Sequence, residues 1–244
     1  MLNKLIKNVV DNILGNRIIR KTLLVIFGYR WNGWMLSLFG YRPIHMVARG
    51  ETCVLAGIYN ADTIIGFSSI VGGLGEVIVI EANPQNAERL TNETKHLSNV
   101  VLTNKAVWNA KGEMEFICSQ SSKDQAFNRL ASEELQEFPL HIDASPLKVM
   151  VETSSIPDIL KELNIHKVDH INLTINGAEL QALEGLSELR RNNPDVRAYI
   201  NSETPDPALK VIDGLKECGF KVFTSHMIRV VNTKIKLVRI YACN

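Results

Sequence analysis

The chain lacks the cysteine and histidine patterns that mark metal-binding and disulfide-rich proteins. Its 244 residues include four cysteines and six histidines. The cysteines are scattered, with no Cys-x-x-Cys motif and no Cys/His spacing, and the histidines do not cluster. This distribution argues against a zinc site and a disulfide framework and indicates a reducing compartment. We therefore expect no metal site and a cytoplasmic location.

The chain also lacks a long apolar run. The apolar stretch over residues 23–29 stops at Arg30, Asn32 and Gly33, short of the about 20 residues that a membrane-spanning helix needs. No small-residue cleavage site follows a compact apolar core, as a secretory signal peptide would require. The sequence therefore disfavours both a spanning helix and a cleaved signal peptide.

Net charge is close to zero, but it is unevenly distributed along the chain. Residues 1–50 hold eight Lys or Arg against one Asp, a net charge of +7, which leaves −6 for the remainder of a chain whose total is +1. A mildly acidic domain behind a basic segment argues against general nucleic-acid binding. It is compatible with a basic arm that meets an anionic surface.

Residues 1–49 are predicted to form a basic, amphipathic, helical N-terminal extension. Apolar residues recur at helical spacing over the first 19 positions, and basic and aromatic residues follow. Such a segment suits a helix that lies in a membrane interface, and residues 1–41 would then contact an anionic membrane surface. It suits equally well a helical cap packed on the following domain, and both interpretations stay open.

Residues 50–244 alternate between apolar strands and amphipathic helices, as in one α/β domain. The predicted strands lie near 52–57, 77–81, 100–104, 114–118, 148–153, 168–174, 196–202, 219–224 and 235–242. The predicted helices lie near 62–71, 84–97, 156–164, 177–190 and 206–217. This alternation predicts a mainly parallel sheet with helices on both faces. The last two strands lack a helix between them, so we expect an antiparallel C-terminal edge. The polar segment 119–147 is predicted to be a substrate lid or insertion.

The segment VIVIEANPQNAERL, residues 77–90, carries the strongest functional signal. An all-apolar strand ends at Glu81, and ligands of open α/β sheets bind at the carboxyl ends of strands, where an acid can accept hydrogen bonds from a ribose diol. The alternative is that Glu81 only supports the start of the helix after Asn83-Pro84. One strand earlier, a loop at Gly57 precedes a helix. Together these features predict a Rossmann-like nucleotide-binding half.

Five segments, in this order and spacing, resemble the FkbM-type family of S-adenosylmethionine-dependent methyltransferases. They are GETCV, EANPQN, NVVLTNKAVWNAKGEMEF, SSIPDIL and NGAELQALEG, within about residues 50–223. The resemblance implies a Rossmann-like class I methyltransferase fold with a seven-stranded sheet and S-adenosylmethionine as cofactor. It also implies O-methylation of a hydroxyl on a sugar, a glycan or a small natural product. The oligomeric state is not readable from the sequence.

The resemblance and the strand ends together give candidate site residues. The candidate cofactor-binding residues are Gly57, Tyr59, Asn60, Ala61, Asp62, Thr63, Glu81, Ala82, Asn83, Asn104, Lys105 and Ala106. The candidate catalytic residues are Thr174, Asn176, Glu179 and Glu203. Glu179 and Glu203 are the candidate bases for a hydroxyl acceptor. The alternative role for Glu179 is that of a helix N-terminal acid favoured by the helix dipole.

Two motifs depart from the family pattern. The family's Asp-x-Gly-Ala-Asn-x-Gly is LAGIYNA here, so that Leu55 replaces the Asp that helps place the methionine end of the cofactor, and Ala61 replaces the second Gly. The family's Lys-x-Asp-x-Glu is NLTIN here, residues 172–176, without charge. Two interpretations follow: an active methyltransferase with a modified site, or a degenerate domain kept for binding or scaffolding.

The basic extension generates a test of the membrane interpretation. We expect the full-length protein to co-sediment with anionic liposomes at low salt, because apolar burial adds to an attraction of about 1 kcal/mol per basic residue near the surface. Binding should fall at high salt and disappear when residues 1–41 are deleted. Full-length protein that stays in the supernatant at low salt would contradict the membrane interpretation and favour the helical cap.

Overall fold

The computed structural model describes residues 47–119, 128–131, 147–203, 206–224, 228–229 and 236–243. They lie within one structural unit, Val47–Asn244. The predictions for residues 1–46, including the amphipathic helix and the membrane surface, lie outside the described residues. So does most of the predicted insertion, residues 120–127 and 132–146.

Strands and helices alternate along the described chain much as the sequence predicts. The strands are β1 (Thr52–Ala56), β2 (Glu76–Ile80), β3 (Val100–Thr103), β4 (Ala106–Val107), β5 (Gly112–Cys118), β6 (Arg129–Leu130), β7 (Leu147–Ser154), β8 (His170–Leu173), β9 (Arg197–Glu203), β10 (Lys221–Thr224), β11 (Ile228–Arg229) and β12 (Lys236–Cys243). The helices are α1 (Ala61–Val71), α2 (Pro84–Thr94), α3 (Ile156–Glu162), α4 (Glu179–Asn192) and α5 (Asp206–Glu217). A short 3₁₀ turn, Gly72–Leu74, follows α1.

The main sheet has eight described strands: seven follow the order β10-β12-β9-β8-β1-β2-β3, and the eighth, β11, pairs with β12 beside this path. The pairings among β3, β2, β1, β8 and β9 are all parallel. Strand β12 is antiparallel to both β9 and β10, between which it lies. The predicted α/β fold, with a mainly parallel sheet and antiparallel pairing at its C-terminal end, is therefore confirmed.

The central strands β1 and β2 are apolar along most of their length because both faces of the sheet are covered. In β1, Val54 and Ala56 pack into one apolar cluster, whereas Cys53 and Leu55 pack into another on the opposite face. The first cluster includes residues of α3, α4 and α5, and the second includes residues of α1 and α2. Successive side chains of a strand point to opposite faces, so this division confirms helices on both faces.

A second, four-stranded sheet has the order β4-β7-β5-β6. The predicted strands 114–118 and 148–153 belong to this sheet, where β5 and β7 pair antiparallel. The alternation of predicted strands and helices along the sequence did not show that these two strands form a sheet of their own. Within the predicted insertion 119–147, Arg129–Leu130 pairs with β5 and so forms a strand of the second sheet.

Two kinds of feature are absent from the described part of the chain. No helix there is both long enough and apolar enough to cross a membrane. No group of three or more His, Cys, Asp or Glu side chains among those residues is arranged to hold a metal ion.

Helix packing on the sheet generates a stability prediction. Leu186 of α4 is 0% exposed in the larger apolar cluster, and we expect Leu186→Ala to lower the free energy of unfolding by about 2–5 kcal/mol. Leu74, which is 83% exposed, serves as the control, and Leu74→Ala should change it by less than about 0.5 kcal/mol. Urea denaturation measures both, and equal losses in the two variants would contradict the described packing.

Candidate functional site

A cleft of about 710 Å³, counting the solvent in its mouth, opens at the carboxyl ends of β1, β2 and β8. Strand β1 lies between β2 and β8, and the chain continues to β2 on one side while β8 joins from the other. Loops that leave the sheet at such a topological switch point diverge and enclose a crevice. The lining residues are Gly57, Tyr59, Ile80, Glu81, Ala82, Asn86, Lys105, Ala106, Val107, Phe116, Asn128, Leu130, Thr174, Ile175, Asn176 and Ala178.

Gly57 forms the turn that begins the first loop of the cleft. Its φ is +74°, and a Cβ at this position would lie 2.0 Å from the carbonyl oxygen of Thr174. The Gly57 N–H donates to the carbonyl of Ile80, 3.0 Å away. Both the left-handed backbone and the close approach to Thr174 require glycine.

Glu81 places a buried carboxyl in the cleft. Its side chain is 6% exposed, and its Oε1 accepts from the Asn83 N–H at 2.8 Å. Burial raises the pKa of Glu81 to about 7, although the bonds from Asn83 and Asn86 and the charge of Arg89 act in the opposite direction. The ionised carboxylate has lost water that these donors only partly replace, so it would gain from hydroxyl donors of a ligand.

Asparagine side chains fix the backbone around Glu81. The Asn83 side chain caps α2 by accepting from the N–H groups of Gln85 and Asn86. The Asn104 amide donates to the carbonyl oxygens of Glu81 and Ala82, at 2.7 and 3.1 Å. Asn83 and Asn104 therefore support the site from behind rather than line the cleft.

Lys105 lines the cleft, but its charge is directed to two carboxylates. Its Nζ lies 2.5 Å from Glu152 Oε1 and 2.6 Å from Glu162 Oε2. These two hydrogen bonds raise the pKa of Lys105, and the bond to Glu152 has the larger effect. The lysine is thus ion-paired, and the neighbouring Ala106 contributes a small apolar surface to the cleft.

The loop after β8 supplies Thr174 and Asn176. Thr174 Oγ1 accepts from the Asn201 amide at 3.2 Å, and the Asn176 amide donates to the Asn128 carbonyl at 2.9 Å. Asn176 has a φ of +40°, a conformation that asparagine tolerates better than most residues. Both predicted residues therefore line the cleft, and Asn176 joins its two walls.

The two candidate bases have different positions. Glu179, 3% exposed, begins α4 and accepts from the Gly177 N–H at 2.9 Å, which is the arrangement of a helix N-terminal acid. It is not among the residues that line the cleft. Glu203 ends β9, and its side chain lies outside the described part of the structure. The catalytic role of either glutamate stays a prediction.

The predicted residues 60–63 form the start of α1. Asn60 caps the helix by accepting from the Thr63 N–H at 3.0 Å and from its hydroxyl at 2.9 Å. Ala61 is buried and Asp62 lies in the first turn. Of the first loop, only Gly57 and Tyr59 are among the cleft-lining residues. Leu55, in the position of the family's aspartate, is fully buried.

Sequence reasoning missed one wall of the cleft. Phe116 and Leu130, paired across β5 and β6, line it together with Asn128. They come from the second sheet, and no local sequence motif predicts the pairing of its strands. It also missed Asn86, which lies three residues after the helix cap Asn83 and therefore on the same side of α2. That spacing was the available signal.

A mainly parallel sheet with one reversed strand and a cleft at its carboxyl edge defines the class I methyltransferase fold. The model of the Methyltransferase FkbM domain matches residues 50–222. The chain therefore belongs to the FkbM methyltransferase family, as the sequence motifs predict.

Three solved structures are similar to this chain. Aeropyrum pernix fibrillarin, in complex with natively bound S-adenosyl-L-methionine, is 12% identical with a TM-score of 0.50, covering 87% of this chain and 74% of that chain. Precorrin-6y C5,15-methyltransferase from Geobacter metallireducens GS-15 is 16% identical with a TM-score of 0.45, covering 90% and 91%. A SAM-dependent methyltransferase from Aquifex aeolicus is 17% identical with a TM-score of 0.43, covering 81% and 84%. Comparison with curated proteins gives no significant match.

The burial of Glu81 generates a prediction about stability and pH. Its pKa of about 7 in the folded protein lies above the ordinary value of 4.5, so the unfolded chain binds fewer protons between these values. Folding stability should therefore fall as pH rises from about 4.5 to about 7. Glu81→Gln should remove this loss and stabilise the ligand-free protein at pH 8 by at most about 3 kcal/mol.

Thermal unfolding at pH 5 and pH 8 measures this effect. Glu88 is exposed on α2, the helix that follows Glu81, and gives the control variant Glu88→Gln. This variant should behave like the wild type at both pH values. A Glu81→Gln protein that is less stable than the wild type at pH 8 would contradict the burial of an ionised carboxylate.

Proposed function

We propose that this protein is an S-adenosylmethionine-dependent methyltransferase whose cofactor binds in the cleft at the carboxyl ends of β1, β2 and β8. The observation that carries the proposal is the buried Glu81 carboxyl at the end of β2, next to the glycine turn at Gly57. An acid in this place of a Rossmann-like fold accepts hydrogen bonds from both hydroxyls of a ribose.

The residues of the cleft fit the nucleoside half of the cofactor. Glu81 would hold the ribose, and the apolar residues Val107, Phe116 and Leu130 offer surface to a flat base. The bound cofactor supplies an electrophilic methyl group on a sulfonium. The chain's own contribution is to bind and orient the cofactor and the acceptor and to shield them from water. Holding two reactants in this way can supply a large part of the rate acceleration of a group transfer.

The amino-acid half of the cofactor has different partners from those of the family pattern. Leu55 cannot receive an amine, because it is apolar and fully buried. The backbone of Gly57–Ala61 and the Asp62 carboxylate in the first turn of α1 are the remaining groups for the amine and the carboxylate. Asn60 can contribute only its amide nitrogen, since its oxygen already accepts from Thr63. We expect weaker cofactor binding than a site with the family's aspartate would give.

The acceptor side of the cleft favours an uncharged, hydroxyl-bearing substrate. Among the described lining residues, Thr174, Asn176 and Asn128 offer neutral hydrogen-bonding groups, and the charge of Lys105 is ion-paired. A hydroxyl of a sugar, a glycan or a small natural product matches this chemistry, with O-methylation as the reaction. Of the two candidate bases, Glu203 lies at the carboxyl end of a strand of the main sheet, β9.

A non-catalytic binding or scaffold module is the second candidate. Two observations favour it: Leu55 is part of the apolar core, and the Glu179 carboxylate is bonded to the backbone of its own helix start. Under this alternative the cleft would be retained without the cofactor affinity that a methyltransferase needs.

Calorimetry with S-adenosylhomocysteine tests the proposal. The wild-type protein should bind this product of the cofactor, and Glu81→Gln should weaken binding by about 10- to 100-fold, because a charged acceptor for the ribose is worth about 1.5–3 kcal/mol. Glu88→Gln should leave the affinity unchanged. Affinity in the wild type should rise from pH 6 to pH 8, since the ribose donors favour the ionised carboxylate.

Wild-type protein that shows neither heat nor a thermal shift at millimolar ligand would contradict the methyltransferase proposal and support the scaffold. Binding that Glu81→Gln leaves intact would place the cofactor elsewhere.

A further inference from the structure

The first loop of the cleft is held from outside by two side chains of α2. The Asn86 amide, which is buried, donates to the carbonyl oxygen of Ile58 at 3.0 Å. The Arg89 guanidinium donates to the carbonyl oxygen of Tyr59 and to the Asn86 side-chain oxygen. Two successive carbonyls of the loop are thus each bound by a side chain.

The same two side chains connect the loop to the acid at the end of β2. The Asn86 side chain and the charge of Arg89 both lower the pKa of Glu81, against the effect of burial. Asn86 lies in the first turn of α2, whose cap Asn83 also donates to Glu81. The helix start therefore fixes the geometry of the acid and of the first loop together.

This arrangement matters here because the loop has lost two constraints. Leu55 has replaced the family's first aspartate, and Ala61 its second glycine. A polar anchor on the carbonyls of Ile58 and Tyr59 keeps the backbone N–H groups of the loop in one orientation. Donors that are already in place bind an anionic ligand group more tightly, because binding then involves no entropy cost of ordering the loop.

Arg89 also makes a surface ion pair, which has to be distinguished from its contacts with the loop. It lies 3.0 Å from Glu93 one turn later, with side chains 39% and 44% exposed. Pairs of this kind contribute little to stability. The guanidinium in addition lies 5.4 Å from the centre of the Tyr59 ring, so its contacts extend over both the backbone and the side chain of the loop.

We propose that Arg89 and Asn86 are positioning residues that hold residues 57–60 in the shape that binds the amino-acid end of the cofactor. This inference rests on the proposed function, since it assumes that the first loop contacts that end. Neither side chain reacts; each acts through the loop backbone. Both acceptors, the Tyr59 carbonyl and the Asn86 side chain, are bound by one guanidinium nitrogen, Nη2, so the contacts with the loop require that nitrogen in one position.

Two ligands separate positioning from a general loss of structure. S-adenosylhomocysteine carries the amino-acid end, whereas 5′-methylthioadenosine has the same nucleoside without it. In calorimetry on the full chain, Arg89→Ala should weaken S-adenosylhomocysteine about tenfold, the size of one charge-assisted hydrogen bond. Its affinity for 5′-methylthioadenosine should fall by a clearly smaller factor, which reflects only the lost charge near Glu81. Arg89→Lys should restore the affinity only in part, because lysine lacks the planar guanidinium that lies over the Tyr59 ring.

Two further variants complete the test. Glu93→Gln removes the surface ion pair and leaves the loop contacts, so it should bind both ligands like the wild type. Asn86→Leu removes the donor to Ile58 without adding a charge, so it should weaken S-adenosylhomocysteine by a larger factor than 5′-methylthioadenosine. Thermal unfolding of each variant establishes that the protein is folded at the temperature of the titration.

The outcomes distinguish this inference from the proposed function. If wild-type protein binds both ligands and Arg89→Ala weakens them equally, or not at all, the positioning role is wrong while the cofactor site stands. The same holds if Glu93→Gln causes the loss that is expected of Arg89→Ala. If wild-type protein binds neither ligand, the proposed function fails, and this inference fails with it.

Discussion

The cleft depends on the close approach of the loop after β1 to the loop after β8. The Thr174 carbonyl would lie 2.0 Å from any Cβ at residue 57, so a side chain there would force the two loops apart. Gly57 also donates to the end of β2 through Ile80. One residue thus joins the ends of three neighbouring strands, β1, β2 and β8. Glu81 follows Ile80 directly and for that reason faces the same space.

Burial of Glu81 links the stability of the fold to its function. A carboxyl that is enclosed at the end of a buried strand has a raised pKa, and its ionised form is poorly solvated. The protein keeps this unfavourable group next to backbone donors and amides that only partly compensate for the lost water. A ligand with hydroxyl donors would complete the compensation. Strained or destabilised groups of this kind concentrate at functional sites.

Much of the main sheet was predictable, because a strand buried on both faces is a continuous apolar run and glycine and proline mark its ends. The segments around Val77–Ile80 and Pro84 show this directly. Which strands pair with each other was harder to predict from the sequence. Strands β5 and β7 have the same local pattern as main-sheet strands, yet they form a separate sheet. The cleft wall of Phe116 and Leu130 was missed for that reason. Asn83 and Asn104 are predicted ligand contacts; in the structure both side chains hold backbone, and their contact with a ligand stays a prediction.

Hydrogen exchange of the full chain, with and without S-adenosylhomocysteine, tests the position of the cofactor site, because it reports where a ligand orders the backbone. With the cofactor in this cleft, exchange should slow in residues 57–60, 81–83 and 104–107, at the carboxyl ends of β1, β2 and β3. Helix α5, on the far part of the sheet, should exchange at the same rate in both states. Exchange that the ligand leaves unchanged at these strand ends, or that it slows only elsewhere, would contradict a cofactor site in this cleft.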